Sequence, residues 1–312
     1  MIAAEVPIVE GLTVPTARPA ATAALRERAR AFIELTKPGI TRMVLVTTAA
    51  GFYMAAPGPV DWLRLIAVLI GTALVASGAG ALNQILERDA DARMERTRFR
   101  PLPSGRVRVR AAVVFAIAAS AIGVVWMMLS VGLLPAAIVA ASLLTYLFVY
   151  TPLKRRTWLS TVVGAVPGAL PILAGWTAGG GAIDAAGLSL FGILFLWQMP
   201  HFYALAWLYR EDYLRGGFRM LTAYDATGIR TARQAVLYTL VLVPVSAAPT
   251  LLGVAGTHYL GGAALLGAAY LTLGLALLIR RERDRARRLF LASVVYLPVL
   301  LLLMVLDKGV VS

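Results

Sequence analysis

No cysteine occurs anywhere in the 312-residue chain. That absence excludes disulfide bridges, a thiol nucleophile, thiolate metal sites and thioether attachment of haem. Charge is also scarce. Only 15% of residues are Asp, Glu, Lys or Arg, against about 25% in soluble domains. Acidic residues number 16 against 30 basic ones, and there are two histidines. Residues 1–30 have neither the basic start nor the apolar run of a signal peptide, and Glu5 and Glu10 speak against a transit peptide. Their Ala, Pro and Thr content is that of a tail without a packed structure. Overlapping its end, Ala23 to Glu34 suits an amphipathic helix lying on a membrane surface.

What is present is apolar, at 59% of residues. The apolar runs approach 20 residues, enough to cross a hydrocarbon core of roughly 30 Å as a helix. Lipid offers the backbone no hydrogen bonds, so such runs must be helical. The alternating segments of a membrane β-barrel are missing. The expected fold is therefore all-α and polytopic, with spans near 41–57, 63–86, 111–131, 134–150, 160–178, 187–208, 235–255, 259–279 and 289–307. About nine transmembrane helices would surround a central cavity capped by cytoplasmic-side loops. Residues 31–312 read as one domain behind the tail 1–30.

The net charge of +14 does not point to nucleic acid, because the basic residues lie in short connections between apolar spans. All Lys and Arg except Arg64 and Lys308 fall on one side of the nine-span arrangement. By the positive-inside rule that side, with the N-terminus, is cytoplasmic. An odd number of spans then puts the C-terminus outside. No short-period repeat is visible, although spans two and six both end in acidic and basic residues on the same side.

Span two runs into Asn83, Glu87 and Asp91, spaced by four. On a continuous helix they line one face over two turns, and three oxygen donors on one face suit Mg²⁺ completed by phosphate oxygens and water. Arg93, Arg96, Arg98 and Arg100 follow, and their guanidinium forks match phosphate oxygens. The plainer reading is a solvated helix end with arginines that set topology. In span six, His201 and Asp212 are eleven residues apart, which on one helix is roughly 16 Å along a shared face. Asp212 would sit at the cytoplasmic mouth and His201 halfway into the bilayer. An intramembrane histidine is a functional candidate, able to ligate haem iron or bond a porphyrin edge, or it is a packed histidine bonded to a neighbouring helix. Gln198, one turn away, is a candidate for the same cavity. The tryptophans and tyrosines of span six, Tyr209 among them, either line a prenyl channel or are ordinary packing and interface aromatics. His258 reads as a loop residue.

The segment Asn83–Leu102, ending Asp-Ala-Arg-Met-Glu-Arg-Thr-Arg-Phe-Arg-Pro-Leu, resembles the first Asp-rich motif of the UbiA-type intramembrane prenyltransferases. Its Met-x-Arg-Thr-x-x-Arg-Pro-Leu tail is similar to that of the haem-farnesylating members. So are Leu35-Thr36-Lys37-Pro38, Tyr150-Thr151-Pro152-Leu153-Lys154-Arg155, Pro200-His201-Phe202 and Glu211-Asp212-Tyr213 with Gly217 and Met220-Leu221. The likeness runs in order from about residue 31 to 230. It departs at Glu87, where Asp is commoner, at Ser160 in place of Asn, and at Thr222 in place of Pro. The second cluster offers only Glu211, Asp212 and the more distant Asp225.

The resemblance implies a reaction and its parts. Farnesyl diphosphate would bind through Mg²⁺ to Asn83, Glu87, Asp91 and Asp212. Lys154, Arg155 and the arginines after span two would balance the leaving diphosphate. The allylic cation would be attacked by a vinyl group of haem b, with water completing a hydroxyethylfarnesyl side chain, and His201 would hold the haem. It further implies a bacterial plasma membrane and a haem A synthase or terminal-oxidase assembly pathway that takes the product. Rival expectations are a prenyltransferase for a quinone-ring or chlorophyll-type acceptor, a secondary transporter and a non-catalytic assembly subunit. Most acids crowd one mouth, whereas transporters place ionisable groups near the midplane.

Overall fold

The computed structural model describes residues 21–309, which are almost wholly helical. In chain order the helices are α1 (Ala21–Leu35), α2 (Pro38–Ala55), α3 (Trp62–Leu86), the short α4 (Arg88–Asp91), α5 (Val109–Ser130), α6 (Leu133–Leu144), α7 (Thr151–Leu153), α8 (Ser160–Ala178), α9 (Ala185–Leu208), α10 (Arg210–Arg215), α11 (Ile229–Val245), α12 (Ala248–Leu251), α13 (Thr257–Ile279) and α14 (Arg283–Leu306). Among the described residues no strand forms, only an isolated bridge between Ala255 and Lys308.

Eight helical segments are long and apolar enough to cross a membrane: α3, α5, Leu133–Leu153, α8, α9, Ile229–Leu251, α13 and α14. The expected first span is α2, 18 residues including Thr41, Arg42, Thr47 and Thr48. It has the length of a span at about 1.5 Å per residue but less apolarity. The chain is a multi-pass membrane protein. The stretch 23–34 is helical, within α1, so the boundary drawn at residue 30 falls inside a helix. The rest of the expected tail lies outside the described residues.

Neighbours in sequence pack side by side from α2 through α3, α5, α6, α8 and α9 to α11, α13 and α14, and α14 touches α2 again. Small residues set the closest approach. A Cβ added at Gly175 would run into the Thr48 carbonyl oxygen, and one at Gly51 into that of Ile172. Lipid tails give two membrane helices no hydrophobic reason to associate, so backbone approach over small residues supplies the dispersion contact.

The two ends of the bundle differ. At one end Arg64 donates to the carbonyl oxygens of Ala178 (2.7 Å) and Val131 (2.9 Å), where α8 and α5 finish. Lys308 donates there to Tyr53 (2.7 Å) and Ala56 (2.6 Å) at the end of α2. The two basic residues outside the crowded side thus satisfy helix C-termini, whose free carbonyls attract cations. At the other end the basic loops are stitched together. Arg106 pairs with Glu34 of α1 at 2.6 Å, Arg93 donates to Gly216 (3.2 Å), the Arg219 amide donates to Lys154 (2.8 Å), and the Trp207 indole donates to Arg281 (3.1 Å).

One turn departs from α geometry. Residues Thr145–Tyr150 form a π-helical turn between α6 and α7. The Thr151 hydroxyl donates to the Tyr146 carbonyl at 2.8 Å, five residues back.

Candidate functional site

The helix that should carry Asn83, Glu87 and Asp91 on one face is interrupted. α3 stops at Leu86, and Glu87 sits at φ −100°, ψ 6° before α4 begins. The spacing by four survives, because the Glu87 amide still donates to Asn83 (2.9 Å) and the Asp91 amide to Glu87 (2.8 Å). All three side chains are buried, at 1%, 4% and 1% exposure.

Each meets a cation. Lys37 Nζ donates to Asn83 Oδ1 at 2.6 Å. Lys154 Nζ donates to Glu87 Oε1 at 2.8 Å, and Arg100 Nη1 bridges both oxygens of Asp91 at 2.9 and 2.8 Å. Asn83 Nδ2 donates in turn to Thr151 Oγ1 at 3.2 Å, which the π turn delivers. Burial pushes Lys37 down to about 7, with Arg100 and Lys154 adding repulsion while Glu87 and Asp91 oppose it. Burial alone would raise the Glu87 carboxyl, but Lys154 and Lys37 outweigh it and hold the group below its ordinary value. Burial would likewise lower Lys154, and Glu87 reverses that. The Lys154 ammonium also lies 4.8 Å from the Tyr150 ring centre and 5.1 Å from that of Phe218.

Lys37 and Thr151 lie in the motifs matched above, but sequence reasoning gave them no role in the site, and the structure brings both into the cluster. Lys37 stands in the Leu35-Thr36-Lys37-Pro38 motif, which by itself assigns it no partner. Among the described residues it is the one non-glycine in the left-handed region, at φ 51° and ψ 61°, a costly backbone state for a side chain. The following Pro38, which disfavours helical geometry at the residue before it, was the available signal.

Asp212 is not on a straight continuation of α9. That helix ends at Leu208, Tyr209 takes φ −112° and ψ 29°, and α10 follows. The three-turn alignment with His201 therefore does not hold. The Asp212 carboxylate is buried and binds the loop after α4. It accepts from the Glu95 amide (3.0 Å), the Arg96 amide (3.3 Å) and Arg215 Nη2 (2.7 Å). Burial raises its carboxyl, and these donors more than reverse that, leaving it lowered. Asp225 is also buried but caps the start of α11, accepting from the Thr231 amide (2.8 Å) and hydroxyl (2.9 Å). Glu211 is exposed.

Of the other candidates, Arg96 lies 4.8 Å over the Tyr209 ring and Arg98 lies 4.7 Å over Phe99. Arg93, Arg96, Arg98 and Arg155 are exposed, and Arg100 is half-buried. Gln198 faces α8, donating to Leu194 (3.0 Å) and Ala165 (3.3 Å). His201 faces α14, with Nδ1 2.7 Å from the Ser293 hydroxyl. A cavity of about 480 Å³ is lined by Trp158, Leu221, Tyr224, Arg230, Arg233, Gln234 and Leu237. None of the predicted site residues lines it.

Among the described residues no three His, Asp or Glu side chains converge as a ready metal cage. The donor set still suits Mg²⁺, which takes one or two carboxylates and completes its shell with phosphate oxygens and water. Glu87, Asp91 and the Asn83 amide oxygen are donors of that hard type.

Residues 44–297 match the model of the UbiA prenyltransferase family. The chain belongs to that family. It is 48% identical to the protohaem IX farnesyltransferase of Solibacter usitatus (strain Ellin6076) over 89% of this chain and 99% of that one. To the protein of the same name from Anaeromyxobacter dehalogenans (strain 2CP-C) it is 44% identical over 88% and 92%. Among solved structures, a digeranylgeranylglyceryl phosphate synthase superposes with TM-score 0.76 at 18% identity, covering 91% of this chain and 99% of that one. A UbiA homologue from Archaeoglobus fulgidus bound to GPP and Mg²⁺ gives 0.63 at 15% identity over 88% and 99%.

Proposed function

We propose that this chain transfers the farnesyl group of farnesyl diphosphate to a vinyl group of protohaem IX, making haem O. The observation that carries the reading is the buried cluster at the loop end of the bundle. Three basic side chains, Lys37, Arg100 and Lys154, face two carboxylates and one amide oxygen. That excess of positive charge in a water-poor place suits a diphosphate. The relatives named above support the choice of farnesyl donor and haem acceptor.

On this reading the diphosphate takes Lys37, Lys154 and Arg100 as its partners. Asn83, Glu87 and Asp91, released from those cations, are the residues that would hold Mg²⁺, which neutralises charge on the leaving diphosphate. The exposed arginines Arg93, Arg96, Arg98 and Arg155 draw the anion toward the mouth. Asp212 keeps the loop of Glu95 and Arg96 in place rather than touching the reacting atoms. The C–O bond of farnesyl diphosphate breaks with its electron pair leaving on the diphosphate. The vinyl π electrons then bond the allylic carbon, and water adds to the resulting cation and loses a proton. Basic donors fixed at the leaving group stabilise charge where it develops, and the apolar bundle shields the first cation from water. His201 holds the haem acceptor deeper in the bundle.

The basic loops share one end, which supports a reading in which they and the N-terminus lie on the cytoplasmic side of a bacterial plasma membrane. The test is to incubate purified protein with haem b, farnesyl diphosphate and Mg²⁺ and read products by mass. A gain of one farnesyl and one hydroxyl group on haem is expected. Unmodified haem, with prenylation of an aromatic acid instead, overturns the acceptor.

A further inference from the structure

Ser293 of α14 is fully buried and is gripped twice by α9. The Trp197 indole donates to its carbonyl oxygen at 2.9 Å, and four residues on, His201 Nδ1 meets its hydroxyl at 2.7 Å. The hydroxyl proton is already committed, because Ser293 Oγ donates to the Phe290 carbonyl at 2.5 Å. A serine hydroxyl has one proton to give and lone pairs to receive. In the His201 contact the oxygen is therefore the acceptor and Nδ1–H the donor. In neutral imidazole one nitrogen carries the proton and the other a lone pair, so the bare nitrogen is Nε2. The ring plane is fixed as well. Phe290 lies 4.9 Å from the imidazole centre, and Trp197 and Phe202 each lie 5.6 Å away.

We propose that Ser293 is a positioning residue that locks His201 in the Nδ1–H tautomer and so presents Nε2 as the ligand for the iron of the haem substrate. A histidine bound to a metal through one nitrogen commonly donates from the other to a fixed acceptor, which sets both tautomer and ring orientation. The proposal rests on the haem-acceptor reading and on His201 as its holder.

The test titrates ferric haem b into the purified full chain and follows the Soret band, with farnesyl diphosphate affinity measured alongside as a check on the distant end of the fold. Wild type should give a histidine-ligated spectrum, and His201→Ala should lose it. Ser293→Ala removes one oxygen and should weaken haem binding about tenfold or more, with altered ligand-field bands and unchanged farnesyl diphosphate affinity. Ser293→Thr, which keeps a hydroxyl, should restore the spectrum. A wild-type spectrum and affinity in Ser293→Ala, with His201→Ala still deficient, overturns the positioning role alone. A wild-type spectrum in His201→Ala overturns His201 as the haem holder. Equal loss of haem and farnesyl diphosphate binding in Ser293→Ala marks a packing role and also overturns the proposal.

Discussion

At the scale of single residues, the site is a set of mutually dependent pairs. Lys154 and Glu87 are both buried, so removing one strands the other's charge away from water. Lys154→Met should cost about 3–5 kcal/mol of stability, read as a lower unfolding midpoint in detergent. The double variant Lys154→Met with Glu87→Met should recover most of that loss while remaining inactive. Lys37→Ala should weaken farnesyl diphosphate binding about ten- to a hundredfold, the worth of a charge-assisted bond. Arg98→Ala, exposed over Phe99, should change it little. Part of this site was legible in the sequence and part was hidden. Asn83, Glu87 and Asp91 were legible because spacing by four is a local regularity that survives the break at Glu87. The bond from Lys37 to Asn83 spans 46 positions, and Asp212 is engaged by amides more than a hundred positions earlier. No local pattern records such partners.

Elements follow the same division. The spans were legible from apolar length and the crowding of arginines on alternate connections, since lipid leaves the backbone no choice but helix. Their interruptions were not. Glu87 and Tyr209 carry ordinary helix-compatible side chains, and what turns the chain there is the engagement of their neighbours by other loops. Helix contact offers its own test. Gly175→Ala would press a methyl into the Thr48 carbonyl, so α2 and α8 must separate or the fold must fail. A marked drop in yield of folded protein by size-exclusion chromatography is expected. Gly39→Ala meets nothing within 4 Å and should be neutral or slightly stabilising, as less chain freedom is lost on folding.

For the whole molecule, the absence of cysteine becomes a tool. Single thiols can be introduced at Ser104→Cys, exposed at the loop end, and Gly58→Cys, exposed at the other. A membrane-impermeant maleimide applied to intact spheroplasts should label Gly58→Cys alone, and Ser104→Cys only after lysis. The reverse pattern overturns the assigned orientation. The wide turn at Thr145–Tyr150 ties this global arrangement to the site. It holds one residue more than an α-helical turn would, and that surplus sets the angle at which Thr151 and Lys154 leave the bundle. Losing one codon there would rotate everything downstream by about 100° around the helix axis, carrying Lys154 away from Glu87. Substitutions in this stretch should be far better tolerated than gaps. Descendants of this gene should therefore vary there in spelling but keep the count of letters.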